Sequence, residues 1–383
     1  MQNKFIADRF SSFSSGLALD TEALSRYDDV IDLSIGETDF ITDSRIMDAA
    51  FSDARRGYTH YGNPQGDPEL IDAVCKVYKE DFDIEISKGN VFVTASSCMG
   101  MGLAMMAVLN PGDEVLVFAP FFSPYRQQIE LAHGVCIEVP TFEAEGYAIT
   151  EERLRAAITP HTKAMILNNP CNPTGAVYGM EQLELIASIA EEYDLLVVAD
   201  EIYTRYVFSG AFTPICSLPG MDCRTLTLNS FSKNFMMTGW RIGYIVTTPR
   251  LVQVLMHINN SLVYTAPSIS QRAALKALSL REDITEKYIS QYRQRLYYAA
   301  ERANALPYMS AVQSGGTFYL FPNIRSTGLS SVEFCKKLLN EAHILATPGS
   351  MFGAAGEGHI RIVCATPIAT LKAAFDRMEH LKF

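Results

Sequence analysis

This 383-residue chain has no surplus of positive charge, no long apolar run and no closely paired cysteines. Its 32 Lys and Arg stand against 43 Asp and Glu, a formal charge of −11. Nucleic-acid binding needs a basic face to meet the phosphates, so that class is set aside. The acid surplus is read as an aid to solubility rather than as a site. No apolar run approaches the roughly 20 residues that span a bilayer, so no membrane role is expected. The opening Met1-Gln2-Asn3-Lys4 is too polar for a secretory segment, and a cytoplasmic setting is expected. The eight cysteines, from Cys75 to Cys364, include no C-x-x-C pair. Neither a zinc site nor a dithiol redox motif is therefore expected, and reduced core thiols are. Neither G-x-G-x-x-G nor G-x-x-x-x-G-K-[ST] follows a strand, which argues against a nicotinamide or nucleotide enzyme. Tandem repeats and low-complexity linkers are absent as well.

What is present is a globular composition, 48% hydrophobic and 20% charged, with length enough for two domains. Residues 1 to about 30 are mixed and polar, an arm or helix that packs on something else. Ile31 to Phe40 alternates like a short strand and ends in a turn bearing Gly36. Arg55 to Gly66 is a loop with three glycines and the tyrosines Tyr58 and Tyr61, and Leu70 to Phe82 has helical spacing. Strands are expected at 91–94, 114–118, 135–139, 164–167, 195–199, 225–228 and 244–247. Helices at 99–109, 125–132, 151–157 and 180–193 fall between them. That alternation is the mark of an α/β fold with a mostly parallel sheet, here of seven strands between helices. Beyond about residue 250 long helices take over, at 251–259, 268–280 and 284–306. A strand at 315–321, a helix at 331–339, a strand at 359–363 and a last helix follow. These suggest a smaller α+β domain completed by the N-terminal segment.

The stretch richest in chemistry is Asn229-Ser230-Phe231-Ser232-Lys233, followed by Gly239-Trp240-Arg241-Ile242-Gly243. Lys233 lies just past the end of a short strand, the edge where open α/β sheets gather ligands. A lysine amine can attack a carbonyl as a Schiff-base nucleophile, and an arginine eight residues on can grip a phosphate. Together they point to an aldehyde carrying a phosphate. Ala95-Ser96-Ser97-Cys98 makes a turn before a buried helix, whose free amides would seat an anion; a plain serine cap explains the serines equally well. Phe121-Phe122 follows the next strand. Asn169-Pro170-Cys171-Asn172-Pro173-Thr174-Gly175 can continue neither strand nor helix, so its backbone is held in a fixed turn that can contain cis bonds. Asp200, after five apolar residues, belongs at the sheet rim, where a partly desolvated carboxylate needs a cationic or protonated partner.

With N-P-x-N-P-T-G at 169–175, D-E-I-Y at 200–203, and S-x-S-K with G-W-R-I-G between Ser230 and Gly243, the chain resembles a class I/II aminotransferase, in the fold-type I family of pyridoxal phosphate enzymes. Weaker marks are Gly36, the Tyr58 and Tyr61 loop, and Pro348-Gly349-Ser350 leading on to Arg361. The resemblance runs nearly end to end and implies a large cofactor domain at 44–278, with a small domain from 1–43 and 279–383. It implies that Lys233 forms an imine with pyridoxal 5'-phosphate and then serves as the proton-transfer base, and that Asp200 pairs with the pyridinium nitrogen. Asn172 and Tyr203 would hydrogen-bond the phenolic oxygen, and Phe122 would stack on the ring. Ser96, Ser97, Cys98, Ser230 and Arg241 would cradle the phosphate. Tyr61 would reach the phosphate of a neighbouring subunit, making a homodimer with shared sites. Arg361 would clamp the substrate α-carboxylate with help from Asn172 and the backbone near Gly36. No metal is implied. Cys98 and Phe122 are also explained by packing, Tyr203 by a core role and Arg361 by a structural ion pair.

Two departures bear on substrate. The aspartate branch of the family carries an arginine where alignment on Tyr264-Thr265 puts Ser261, and another branch carries a lysine where this chain has Cys98. Both usual clamps for a distal carboxylate are missing, so neutral or aromatic amino acids are favoured over dicarboxylic ones. Two alternatives remain: a pyridoxal-phosphate carbon–sulfur β-lyase, which would use the same residues, and a non-catalytic binding module on the same scaffold.

Overall fold

The computed structural model describes residues 5–7, 10 and 26–383. Most of the arm or helix expected over residues 1 to about 30 lies outside the described residues. The first strand is the short β1 (Ile31–Asp32). The main sheet follows, built from β2 (Val91–Thr94), β3 (Glu114–Ala119), β4 (Val135–Pro140), β5 (Thr162–Asn168), β6 (Leu196–Asp200), β7 (Thr225–Ser230) and β8 (Gly243–Val246). Its order is β2-β8-β7-β6-β5-β3-β4. The pairs β3–β4, β3–β5, β5–β6 and β6–β7 are parallel, and β8 runs antiparallel to both β7 and β2. Every residue of β7 is buried, as a strand covered on both faces requires. One face packs on the helices Ser97–Val108 and Pro249–Asn259, through Met101, Leu103 and Leu255 against Leu226 and Ile245. The other packs on the helix Met180–Glu192, through Leu183 and Ile186 against Val197 and Ala199. The fold is thus α/β with a seven-stranded, mostly parallel sheet between helices.

Leu33 and the chain from Leu296 onward build a second core around Leu296, Phe334, Ile362 and Phe375. Here β9 (Tyr319–Leu320), β10 (Ile344–Leu345), β11 (Thr347–Pro348) and β12 (Ile360–Val363) are short. β10 pairs in parallel with β1, and β11-β12-β9 form an antiparallel sheet. Among the described residues no helix is long and apolar enough to cross a membrane.

The structure corrects several expected bounds. The strand over Ile31–Phe40 shortens to β1. Ser34 turns its N–H to the Asp32 carboxylate at 2.8 Å and Glu37 donates to the Ile35 carbonyl at 2.7 Å, so local turns take the groups a ladder would use. The strand over 315–321 shortens to β9, because Thr317 sits at φ +61° and the Cβ of any larger residue at Gly316 would meet the Tyr206 carbonyl at 2.5 Å. Ser97 and Cys98 belong to the first turn of their helix rather than to the loop before it. The helix Ser44–Arg55, begun by an Asp43 side chain that accepts from the Arg45 N–H, is not anticipated from sequence.

Candidate active site

The parallel strands end at one edge, and the last residues of β6 and β7, Asp200 and Ser230, line a cavity of about 240 Å³. Of the residues singled out from sequence, Gly36, Ser96, Ser97, Cys98, Phe122, Asp200, Ser230, Lys233 and Arg241 line it. Lys233 rides on the four-residue helix Phe231–Asn234, started by the Ser230 hydroxyl, which accepts from the Ser232 N–H at 3.1 Å. Its Nζ donates to the Gly36 carbonyl and lies 5.7 Å from the centre of the Phe318 ring. Behind it the Tyr206 hydroxyl donates to the Lys233 main-chain carbonyl at 2.8 Å. The amine is thereby aimed into the cavity from a rigid backbone.

Asp200 is buried and shares its two oxygens unequally. Oδ2 accepts from the Tyr125 hydroxyl at 2.5 Å, while Oδ1 has no hydrogen-bond partner. Burial pushes its pKa up to about 6, against the opposing pull of Tyr125, the Ile202 amide and the Lys233 charge. An ionised, half-satisfied carboxylate facing a cavity is a seat for a cationic or protonated donor.

At the opposite end the helix Ser97–Val108 points its N-terminus at the cavity, and the first N–H groups of a helix have no partner of their own. Ser96 caps it, accepting from the Met99 N–H at 3.2 Å while held at φ +94°. Arg241 also has a positive φ, +52°, and its Nη1 donates to the Thr238 carbonyl at 2.8 Å. Two non-glycine residues at such angles flank one spot, a concentration of backbone strain found at functional sites. A Cβ at Gly243 would come within 2.8 Å of the Ser97 nitrogen, so only glycine lets the strand and helix end meet here. A helix end, serine hydroxyls and a guanidinium together suit a phosphate-like anion.

Arg361, on β12, stands behind the cavity and is buried without a carboxylate partner. Nη1 donates to Asn172 Oδ1 at 3.0 Å and Nη2 to the Ser34 carbonyl at 2.6 Å, while Nε is unpartnered. Its guanidinium sits 4.7 Å from the Tyr319 ring centre and 4.9 Å from that of Phe352. The bland alternative, a structural ion pair, is not what the structure contains. Burying a cation without a counter-charge is costly, and the site suits an incoming carboxylate. Asn172 is fixed by its own N–H, which donates to Asn168 Oδ1 at 2.7 Å, in a turn with cis bonds before Pro170 and Pro173. Tyr203 is buried and its hydroxyl bonds that of Tyr319 at 2.9 Å. Tyr61 is not part of the cavity: it is 87% exposed and packs edge-on against Tyr264.

Sequence reasoning missed Tyr125, Tyr319 and Asn168, which hold Asp200, Tyr203 and Asn172. Their partners lie 75, 116 and 4 residues away. Only the last was within local reach, as an Asn placed to close the Asn-Pro turn. No cluster of side chains that could hold a metal ion occurs among the described residues.

The chain resembles known proteins along most of its length. A family model described as aminotransferase class I and II matches residues 28–378. The chain is 39% identical to an aspartate aminotransferase of Pyrococcus abyssi, covering 92% of each. It is 37% identical to aromatic-amino-acid aminotransferase 2 of Thermococcus litoralis, covering 92% of this chain and 91% of that one. The solved aspartate aminotransferase of Thermus thermophilus with maleate superposes with a TM-score of 0.92 at 32% identity, covering 99% of both chains.

Proposed function

The chain belongs to the class I and II aminotransferases, and on that footing we propose that it uses pyridoxal 5'-phosphate in a ping-pong exchange between an L-amino acid and a 2-oxo acid. The observation that carries this reading is the pairing of Asp200 Oδ1, buried and unpartnered, with Lys233 Nζ across one cavity that ends in an anion seat. The residues fit the cofactor: Oδ1 would take the pyridinium N–H, and Phe122 would lie on the ring. The Ser97 helix end with Ser96, Cys98, Ser230 and Arg241 would take the phosphate. Asn172 and Tyr203 would reach the phenolic oxygen. When bound, the cofactor supplies the electron sink that makes an α-proton removable.

The protein's part is to hold, aim and move protons. Lys233 Nζ, as a free amine, would take the substrate α-proton and hold it for return on the same face. Asp200 would keep the ring nitrogen charged. Arg361, already buried among Ser34, Asn172 and two aromatic rings, grips the α-carboxylate and fixes which face of the α-carbon meets Lys233. The first product leaves before the second oxo acid enters, because both use the same clamp.

Ser261, in an exposed turn, and Cys98, in the cavity lining, stand where two branches of the family carry a basic residue. Both support neutral or aromatic amino acids over dicarboxylic ones. Exposed Tyr61, beside exposed Leu262, Val263 and Tyr264, supports a homodimer in which Tyr61 serves the neighbouring site. The two-part division at 44–278 and 1–43 with 279–383 is proposed alongside, as is a cytoplasmic setting, which the free cysteines support.

A donor screen tests the whole reading, following the cofactor's visible absorbance with each amino acid and no oxo acid present. Phenylalanine, leucine or methionine should bleach the band by single-turnover conversion and aspartate should lag. Aspartate as the best donor overturns the preference, and pyruvate with ammonia from cystathionine overturns transamination itself.

A further inference from the structure

Tyr203 and Tyr319 are both buried, and among the described residues each hydroxyl has the other as its hydrogen-bond partner, 2.9 Å away. Two hydroxyls and one bond leave a choice of direction. If Tyr203 donates, its hydrogen is spent on Tyr319. If Tyr319 donates, the hydrogen of Tyr203 is free.

Tyr319 is the more strongly fixed of the two. Its N–H donates to Thr317 Oγ1 at 3.1 Å, the Ser314 hydroxyl donates to its carbonyl at 2.9 Å, and β9 pairs it with Val363. Its Oη presses on Gly36 so closely that a Cβ there would lie 2.2 Å away. The Arg361 guanidinium lies 4.7 Å from its ring centre. A cation over a phenol ring draws density from the ring and polarises the O–H toward donation. Tyr203 has no cation so placed; its ring meets Tyr206, Phe318 and Tyr319 edge-on. The charged and titratable groups around the pair include Arg361 and Asp200, with Tyr206 edge-on to Tyr203. Burial first, and Tyr319 next, push the Tyr203 pKa well above its usual value, so it stays a phenol with a hydrogen to give.

We infer that Tyr319 is a positioning residue that donates to Tyr203 and so turns the Tyr203 hydrogen toward the phenolic oxygen of the cofactor. A hydroxyl that accepts a hydrogen bond is also a stronger donor. The same ring touches the Arg361 clamp and the Gly36 backbone, so one side chain joins the group that tunes the cofactor to the group that holds the substrate. This inference rests on the proposed use of pyridoxal phosphate.

The test is the pH midpoint of the visible absorption band of the cofactor-loaded enzyme, in wild type, Tyr319→Phe, Tyr203→Phe and the double variant. A hydrogen bond to the phenolic oxygen stabilises its negative charge, so weakening that bond moves the midpoint up. Tyr319→Phe should raise it by about 0.5–1 pH unit, the equivalent of one modest hydrogen bond. Tyr203→Phe should raise it more, and the double variant should match Tyr203→Phe. Both substitutions keep the buried ring and remove one oxygen, and a thermal melt checks that each variant is folded. An unchanged midpoint in Tyr319→Phe overturns the inference. So does an equal shift when Tyr203 is already Phe, which would place the effect in packing. Should Tyr319→Phe fail to fold, Arg361→Lys, which moves the cation off the ring, must raise the midpoint through Tyr203 alone and leave it unchanged when Tyr203 is Phe; any other result overturns the inference. Wild-type protein that forms no visible band with pyridoxal phosphate overturns the proposed function and this inference together. A normal wild-type titration beside a silent Tyr319→Phe overturns this inference only.

Discussion

Adjacent carboxylates at the end of β6 have different fates. Asp200 is pushed up to about 6 by burial and held there by Tyr125, the Ile202 amide and Lys233, so it is mostly ionised at neutral pH. Glu201 is equally buried, has only the Ile215 N–H at 3.2 Å to offset that burial, and feels Asp200 beside it; it rises to about 8 and is mostly protonated at pH 7. A carboxyl whose folded pKa lies above its unfolded value of 4.5 gives stability that is complete below about 4.5 and lost as pH rises through 8. Glu201→Gln keeps an acceptor for Ile215 and removes the titration. Melting temperatures at pH 5 and pH 8 should therefore show the variant close to wild type at the lower pH and more stable at the higher one. The slope removed is at most about 1.4 kcal/mol per pH unit. Parallel curves for the two proteins would place the pH dependence elsewhere.

Between elements, the decisive join is where β8 passes the start of the helix Ser97–Val108. A Cβ at Gly243 would meet the Ser97 nitrogen and the Asn229 carbonyl, both at 2.8 Å, and neither backbone atom can swing away. Gly243→Ala should lose about 1–3 kcal/mol of stability by overpacking, and its affinity for pyridoxal phosphate should fall about tenfold because the anion seat is displaced. Gly102→Ala on the same helix, where nothing lies within 4 Å, is the control: it should leave cofactor affinity unchanged and should not lower stability, raising it by up to about 1 kcal/mol through helix propensity. Denaturant titration and cofactor titration read the two effects separately. Elements of this kind were legible in sequence wherever an apolar run met a breaker: β5 before Asn168, β6 before Asp200 and β7 before Lys233 stand close to where their patterns put them. The helix Ser44–Arg55 buries only Ile46 and Ala50, yet Ile46, Ala50 and Ala54, with Met47 and Phe51, recur at helical spacing, so its period was present in the sequence and went unread. The extra length given to β1 came from reading alternation through Gly36, where turns break the ladder. Tyr125 could not be joined to Asp200 by any local rule, since their contact exists only once β6 and the chain after β3 lie side by side.

The whole molecule presents Tyr61, Leu262, Val263 and Tyr264 to solvent, an apolar surface around the residue proposed to serve a second subunit. Mixing Lys233→Ala chains with Tyr61→Ala chains tests it. Each chain alone should be impaired, while random reassortment should restore one complete site in half of the dimers, or about a quarter of wild-type activity. Recovery that is absent after verified subunit exchange would make the sites independent. The contact between the Arg361 guanidinium and the Ser34 carbonyl spans 327 positions of the chain. A ribosome emitting this polypeptide must therefore finish nearly all of it before the carboxylate grip can assemble. Prematurely stopped fragments, however well their central sheet forms, would lack the means to grasp a substrate.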